Sequence, residues 1–134
     1  MNQRFKKWKI PKIKHHELTK WHWKVLHPEN LKLGKYTDIS SFVVIFAHNG
    51  VTVGDNVEIG PHCSIMSADT ISGKNGPVVL KKGACIGANS VVMPGVTVGE
   101  NTIVGAHSLV TKDLPSNVIA FGVPARVVKK RPQK

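Results

Sequence analysis

Residues 80–114 run Leu80-Lys81-Lys82-Gly83-Ala84-Cys85-Ile86-Gly87-Ala88-Asn89-Ser90-Val91-Val92-Met93-Pro94-Gly95-Val96-Thr97-Val98-Gly99-Glu100-Asn101-Thr102-Ile103-Val104-Gly105-Ala106-His107-Ser108-Leu109-Val110-Thr111-Lys112-Asp113-Leu114. Every sixth residue from Leu80 is a branched aliphatic: Leu80, Ile86, Val92, Val98, Val104 and Val110. Four places after each stands Ala84, Ser90, Val96, Thr102, Ser108 or Leu114, mostly small. No helix keeps a stripe at that spacing, because six steps of about 100° turn the side chain through roughly 240°. Short strands separated by turns do keep it. Three such rungs close a flat-sided coil, and coils stack at about 4.8 Å through strand hydrogen bonds. The aliphatic and the small residue four places on then point inward. The Gly that follows Ile86, Val98 and Val104 is expected to permit the turn.

Upstream, the same pattern passes through Leu33, Ile39, Ile45, Val53, Ile59 and Ile65. Twelve rungs predict about four coils over residues 33–115. The register slips twice, by two residues around Ala47-His48-Asn49-Gly50 and by nine between Ile65 and Leu80. Ile45, Ile65 and Val92 fall on one face in successive layers, so both insertions leave from the same corner. Loops held together by a rigid scaffold are where sites are built.

The rest of the chain differs in kind. Of 134 residues, 19 are Lys or Arg and 8 Asp or Glu, for a net charge of +11. That balance predicts a partner with negative charge. Residues 1–32 form a basic leader that holds all three tryptophans, Trp8, Trp21 and Trp23. Such a leader is expected to cap the open lower end of the coils, where an unpaired strand invites aggregation. Residues 116–134 are expected to form a closing segment and a C-terminal tail, with Val127-Val128-Lys129-Lys130-Arg131 leaving the prism as a short tail or helix. The 41% hydrophobic content excludes a disordered chain. No apolar run is long enough to cross a membrane as a helix, and no secretory signal is apparent. Two cysteines, Cys63 and Cys85, are too few for a disulfide framework and point to a cytoplasmic setting. Cys63 occupies an inward position and is expected to pack in the core.

The stretch Ile86–Gly99, the stretch Val104–Pro115 with its Thr111-Lys112-Asp113, and the closing Gly122-Val123-Pro124-Ala125-Arg126 resemble the hexapeptide-repeat acyltransferases, in their sugar and xenobiotic O- and N-acetyltransferase branch. The resemblance implies an all-β fold, a left-handed parallel β-helix, assembled as a homotrimer that uses acetyl-CoA. The handedness comes from the resemblance alone; parallel crossovers in general favour the right hand. By the same resemblance, Ala88, Ala106, Thr111, Lys112, Arg126 and Lys129 match acetyl-CoA-binding positions. Their chemistry agrees: small residues let the pantetheine arm approach backbone amides, and cations meet phosphates.

Acyl transfer needs a base for the acceptor's proton and donors for the developing oxyanion. In the sugar-acetyltransferase branch that base is a histidine in the loop after the rung matching Ile65. Here Asp69 and Thr70 stand instead. His62, where the resemblance implies a transition-state-stabilising asparagine, is the first candidate to donate to the oxyanion or to act as base. His48, in the shorter insertion, is the alternative base. Asp69 is expected to orient a histidine or to bind the ammonium of an amino sugar. His107 is expected to line the groove or the subunit interface. A missing standard base favours an amine acceptor, a stronger nucleophile once deprotonated. The chain therefore reads as an acetyltransferase acting on a sugar, with a nucleotide-linked amino sugar preferred and no metal needed.

Two other readings stand beside it. A non-enzymatic β-helix scaffold would also lack the base. A γ-carbonic anhydrase-like zinc protein shares the fold, and His22 and His27 have a ligand-like spacing. The leader's charge leaves room for peripheral contact with an anionic lipid-linked substrate; nucleic acid is not expected.

Overall fold

The computed structural model describes residues 5–132; residues 1–4 of the leader and 133–134 of the closing segment lie outside them. The chain winds as a left-handed parallel β-helix of about five turns. Its first wall stacks β1 (Lys24–Leu26), β4 (Val44–Phe46), β7 (Ser64–Met66), β10 (Val91–Val92) and β13 (Leu109–Val110). The second stacks β2 (Leu31–Leu33), β5 (Val51–Val53), β8 (Val78–Leu80) and β11 (Thr97–Val98). The third stacks β3 (Asp38–Ile39), β6 (Glu58–Ile59), β9 (Cys85–Ile86), β12 (Ile103–Val104), β14 (Val118–Gly122) and β15 (Ala125–Lys130).

The register follows the six-residue count. Ile45 pairs with Ile65 and Ile65 with Val92, so the two insertions do share a corner. The rung aliphatics from Ile39 to Val110 are buried, and so are their small partners Cys63, Ala84, Ser90, Val96, Thr102 and Ser108. A core of branched aliphatics suits this narrow bore. The inward hydroxyls are bonded to backbone carbonyls: Ser90 Oγ donates to Gly105 O at 3.1 Å and Ser108 Oγ to the same oxygen at 2.7 Å. Buried polar groups need such partners. Cys63 Sγ lies 3.1 Å from Gly87 O, and burial raises its thiol pKa. It packs in the core as expected.

Three features differ from the sequence reading. The walls begin at β1, inside the segment assigned to the leader, and Lys24–Leu26 pair with Val44–Phe46. Val25 and Leu31 lie six residues apart, but Leu33, in the same strand as Leu31, masks that earlier phase. At the other end, the chain turns at Val123-Pro124 and residues 125–130 pair antiparallel with β14, so this part of the closing segment is a strand and not a tail. Arg131 fastens its end by donating to Asn101 O at 2.9 Å.

The glycines act differently too. The left-handed backbone of the corners falls two places later, on Asn89 (φ 60°), Asn101 (φ 57°) and His107 (φ 59°). Gly87 is small for another reason: a Cβ there would lie 2.6 Å from the backbone N of Ala106 in the coil above. Gly54 is covered in the same way by Lys82 N at 2.7 Å. These positions need close approach between layers, not turn freedom.

The leader lies against the lower coils. Trp23 is buried, its backbone N–H donates to Thr19 Oγ1, and Ile13 packs on the core. Trp8 donates through Nε1 to Thr37 O at 3.2 Å.

Candidate active site

Two edges of the first wall carry the candidate residues. One edge is the corner where the third wall passes into the first. Its left-handed residues climb in a column: His22, Phe42, His62, Asn89 and His107. Above His22, each backbone N–H is tied to the coil below, as in Phe42 N to His22 O at 2.7 Å and His107 N to Ala88 O at 2.9 Å. The imidazole of His62 stacks on Phe42 with ring centroids 5.3 Å apart, and both side chains are exposed. Ala88 and Ala106 occupy the same corner two and three coils up from Phe42, neither of them buried. Phe121 rises over Gly105, and Arg126 is its cross-strand partner. His62, Ala88, Ala106 and Arg126 are thus grouped along one edge.

The other edge is the corner where the first wall passes into the second, and both insertions lie there. Asn49 knits them: its N–H donates to Ser67 Oγ at 2.9 Å, and its Nδ2 donates to Ser67 O at 2.9 Å and Asn75 Oδ1 at 3.1 Å. Ser67, fully buried, donates to Phe46 O at 2.6 Å. Asp69 accepts from Ser72 Oγ at 2.6 Å and from the N–H groups of Ile71 and Ser72. These bonds, the Ser72 hydroxyl first, hold its carboxyl below the usual range. Its visible partners are therefore its own loop, not a histidine. Thr111 and the exposed Lys112 lie at this corner two coils above Asp69, just after β13.

His48 has company that the sequence did not reveal. Its ring centroid is 4.4 Å from that of His27, which is 4.7 Å from that of His15. His15 Nδ1 accepts the His27 backbone N–H at 2.9 Å, and His27 Nδ1 meets Glu29 at 3.1 Å. Loss of solvation lowers the His48 pKa below its ordinary 6.5, with the neighbouring His27 and His15 adding to the effect. A neutral imidazole near pH 7 is able to accept a proton. Only the earlier start of the walls, which puts His27 directly below His48, would have exposed this column.

His62 and the His48–Asp69 corner stand at opposite edges of one wall, separated by strand lengths on the order of 20 Å. A single chain does not bring them together. The same geometry separates His22 from His27 within one chain: His22 stands on the first of these corners and His27 on the second, so their five-residue spacing does not bring the two rings together in a protomer. Lys129 lies in β15 opposite Ile119, on the outer edge of the third wall.

The family described as bacterial transferase hexapeptide (six repeats) matches residues 77–112. Galactoside O-acetyltransferase of Escherichia coli (strain K12) is 36% identical over 113 residues, covering 75% of this chain and 54% of that enzyme. A hexapeptide-repeat acetyltransferase of Vibrio cholerae O1 biovar eltor, solved in complex with acetyl coenzyme A, superposes with a TM-score of 0.77 at 28% identity, covering 83% of this chain and 66% of that one. The chain belongs to the hexapeptide-repeat acyltransferase family. A shorter match, 52% identical over 52 residues, is to dTDP-3-amino-3,6-dideoxy-alpha-D-galactopyranose 3-N-acetyltransferase of Aneurinibacillus thermoaerophilus, covering 39% of this chain and 27% of that enzyme. This hexapeptide-repeat protein spans about half the length of the Escherichia coli relative.

Proposed function

We propose that this protein transfers an acetyl group from acetyl-CoA to a sugar, with the amine of a nucleotide-linked amino sugar as the preferred acceptor. The observation that carries the reading is the edge on which Ala88 and Ala106 stack with Arg126 beside them. Two small residues in successive coils leave backbone amides open to an extended pantetheine arm, and the exposed guanidinium suits a phosphate. Lys129 on the same strand, and Lys112 with Thr111 at the far corner, supply further donors.

Acetyl-CoA brings the thioester. The chain has to hold it, remove the acceptor's proton and steady the negative charge that develops on the carbonyl oxygen. Its exposure beside Ala88 supports His62 in one of the last two roles, as oxyanion donor or as base. His48 is the second base, supported by its lowered pKa. Asp69, at the His48 corner, is available to an amino group where Ser72 leaves its oxygens room. Since His62 and His48 sit on opposite edges of one wall, a ring of three copies supplies the natural closure: one protomer's His62 edge meets its neighbour's His48 edge. The site is then a groove between subunits, with the reaction in the cytoplasm, consistent with Cys63 and Cys85 as thiols.

The short match to a nucleotide-sugar N-acetyltransferase favours the amine. The longer match to a galactoside O-acetyltransferase favours a second reading, a hydroxyl acceptor. Release of CoA thiol, followed with a thiol reagent, separates them. Nucleotide-linked amino sugars should be turned over and simple galactosides poorly. Turnover of galactosides alone sinks the amine reading. Coenzyme A should also raise the melting temperature; no shift and no thiol release would leave a scaffold.

A further inference from the structure

The leader does more than close the lower end. A cap needs apolar groups that point inward, and Trp23 and Ile13 provide them. Yet Ile10 is 72% exposed, Leu18 54% and Trp21 50%, within a dozen residues of one another. Trp21 borders one feature. A cavity of about 520 Å³ is lined by Lys7, Trp8, Lys9, Pro11, Lys20 and Trp21, among others. Ile10 falls between two of these residues and Leu18 two places before Lys20. Lys20 Nζ lies 5.7 Å from the Trp21 ring centroid. Lys6, Lys7, Lys9, Lys12, Lys14 and Lys20 are all exposed in this segment, whose one acid among residues 5–24 is Glu17, while Asp38 of β3 also lines the cavity.

Exposed apolar tips set among lysines are costly in water alone and match one medium well. The boundary of an anionic bilayer offers negative headgroups to the ammonium groups and hydrocarbon just beneath for Ile, Leu and indole. Among the described residues no helix is long and apolar enough to cross a membrane. The contact is therefore at the surface. We propose that the leader is a docking face for an anionic lipid bilayer, seated through Ile10, Leu18 and Trp21 and held by the surrounding lysines. This inference does not rest on the acetyl-transfer reading.

All three tryptophans of the chain lie in this segment, so tryptophan fluorescence, excited selectively over Tyr36, reports on it alone. The full-length protein is mixed with vesicles of phosphatidylcholine and with vesicles in which about a third of the lipid is phosphatidylglycerol, each carrying bromine-labelled chains. Flotation and fluorescence quenching are expected with the anionic vesicles only, and both should weaken as salt rises. Lys9→Gln and Lys20→Gln should each weaken binding about fivefold, near the effect of one lysine at such a surface. Leu18→Ser with Trp21→Ser should abolish flotation while a cooperative thermal unfolding transition is retained, since both side chains are at least half exposed. Equal binding to neutral vesicles overturns the proposal, as does no binding to either. Preference for duplex DNA over anionic vesicles at the same salt overturns it in favour of a polyanion site.

Discussion

A Cβ on Gly87 would meet the backbone N of Ala106 at 2.6 Å, and backbone cannot rotate away as a flexible side chain can. Gly87→Ala should therefore destabilise the protein by about 1–3 kcal/mol, the usual range for forced overpacking. Urea denaturation measures it. If turn freedom were the reason for glycine there, the penalty would come from φ, and Gly87 is not among the positive-φ glycines. His48 gives a second prediction. Its folded pKa lies below 6.5, so the folded chain binds fewer protons than the unfolded one once pH falls beneath that value. Stability should be at its plateau above about pH 7 and fall as pH drops through 6.5 towards the folded value. The groups facing His48 are His27 and His15, with Glu29 on His27. Asp69 and Glu29, both lowered carboxyls, act only at more acid pH. His48→Gln should flatten the melting-temperature curve between about pH 7 and 5. An unchanged slope would mean that the column carries no proton linkage.

At the scale of elements, Ile65 is the clearest test of the bore. It is fully buried at the centre of the first wall, paired with Ile45 below and Val92 above. Ile65→Ala should cost about 2–5 kcal/mol, since neighbouring coils fixed by hydrogen bonds cannot collapse into the gap. Chemical denaturation reads it, and a cost below about 1 kcal/mol would mean that the coils relax freely. This part of the fold was legible because burial repeats with the strand period: Ile45, Ile65 and Val92 could be aligned by counting. What lay between rungs was less so. Which residue takes left-handed φ depends on where the corner bends, and Asn, His, Phe and Tyr all do it here, so the Gly after Ile86, Val98 and Val104 drew the wrong explanation. Handedness leaves no mark in an inward-outward pattern. The strand Ala125–Lys130 was hidden because pairing on one edge with solvent beyond imposes little alternation: after Ala125 every residue in it is exposed. The His15–His27–His48 column was hidden by the missed first coil, since His27 reads as leader until β1 is paired with β4.

For the molecule as a whole, the decisive fact is that the first wall has a candidate site residue at each edge. His62 and its alanine ladder stand on one, His48 and the Asn49–Ser67 network on the other, too far apart for one acceptor to touch both. If function needs both, it is a property of the seam between copies and not of the chain. Each of His62→Ala and His48→Ala should then lower kcat by about a hundredfold or more, as loss of a proton-transfer group does. Size and mass in solution should read three chains in each case. The variants, refolded together in equal amounts, should recover activity. In a random ring, a seam is intact when one neighbour keeps its His62 and the other keeps its His48, which holds for about a quarter of seams. Recovery near that fraction, from two preparations each nearly inactive, can arise only where facing subunits share one site. No recovery from properly mixed trimers would place both histidines' roles, if they have them, within a single protomer's surface and would undo the shared groove.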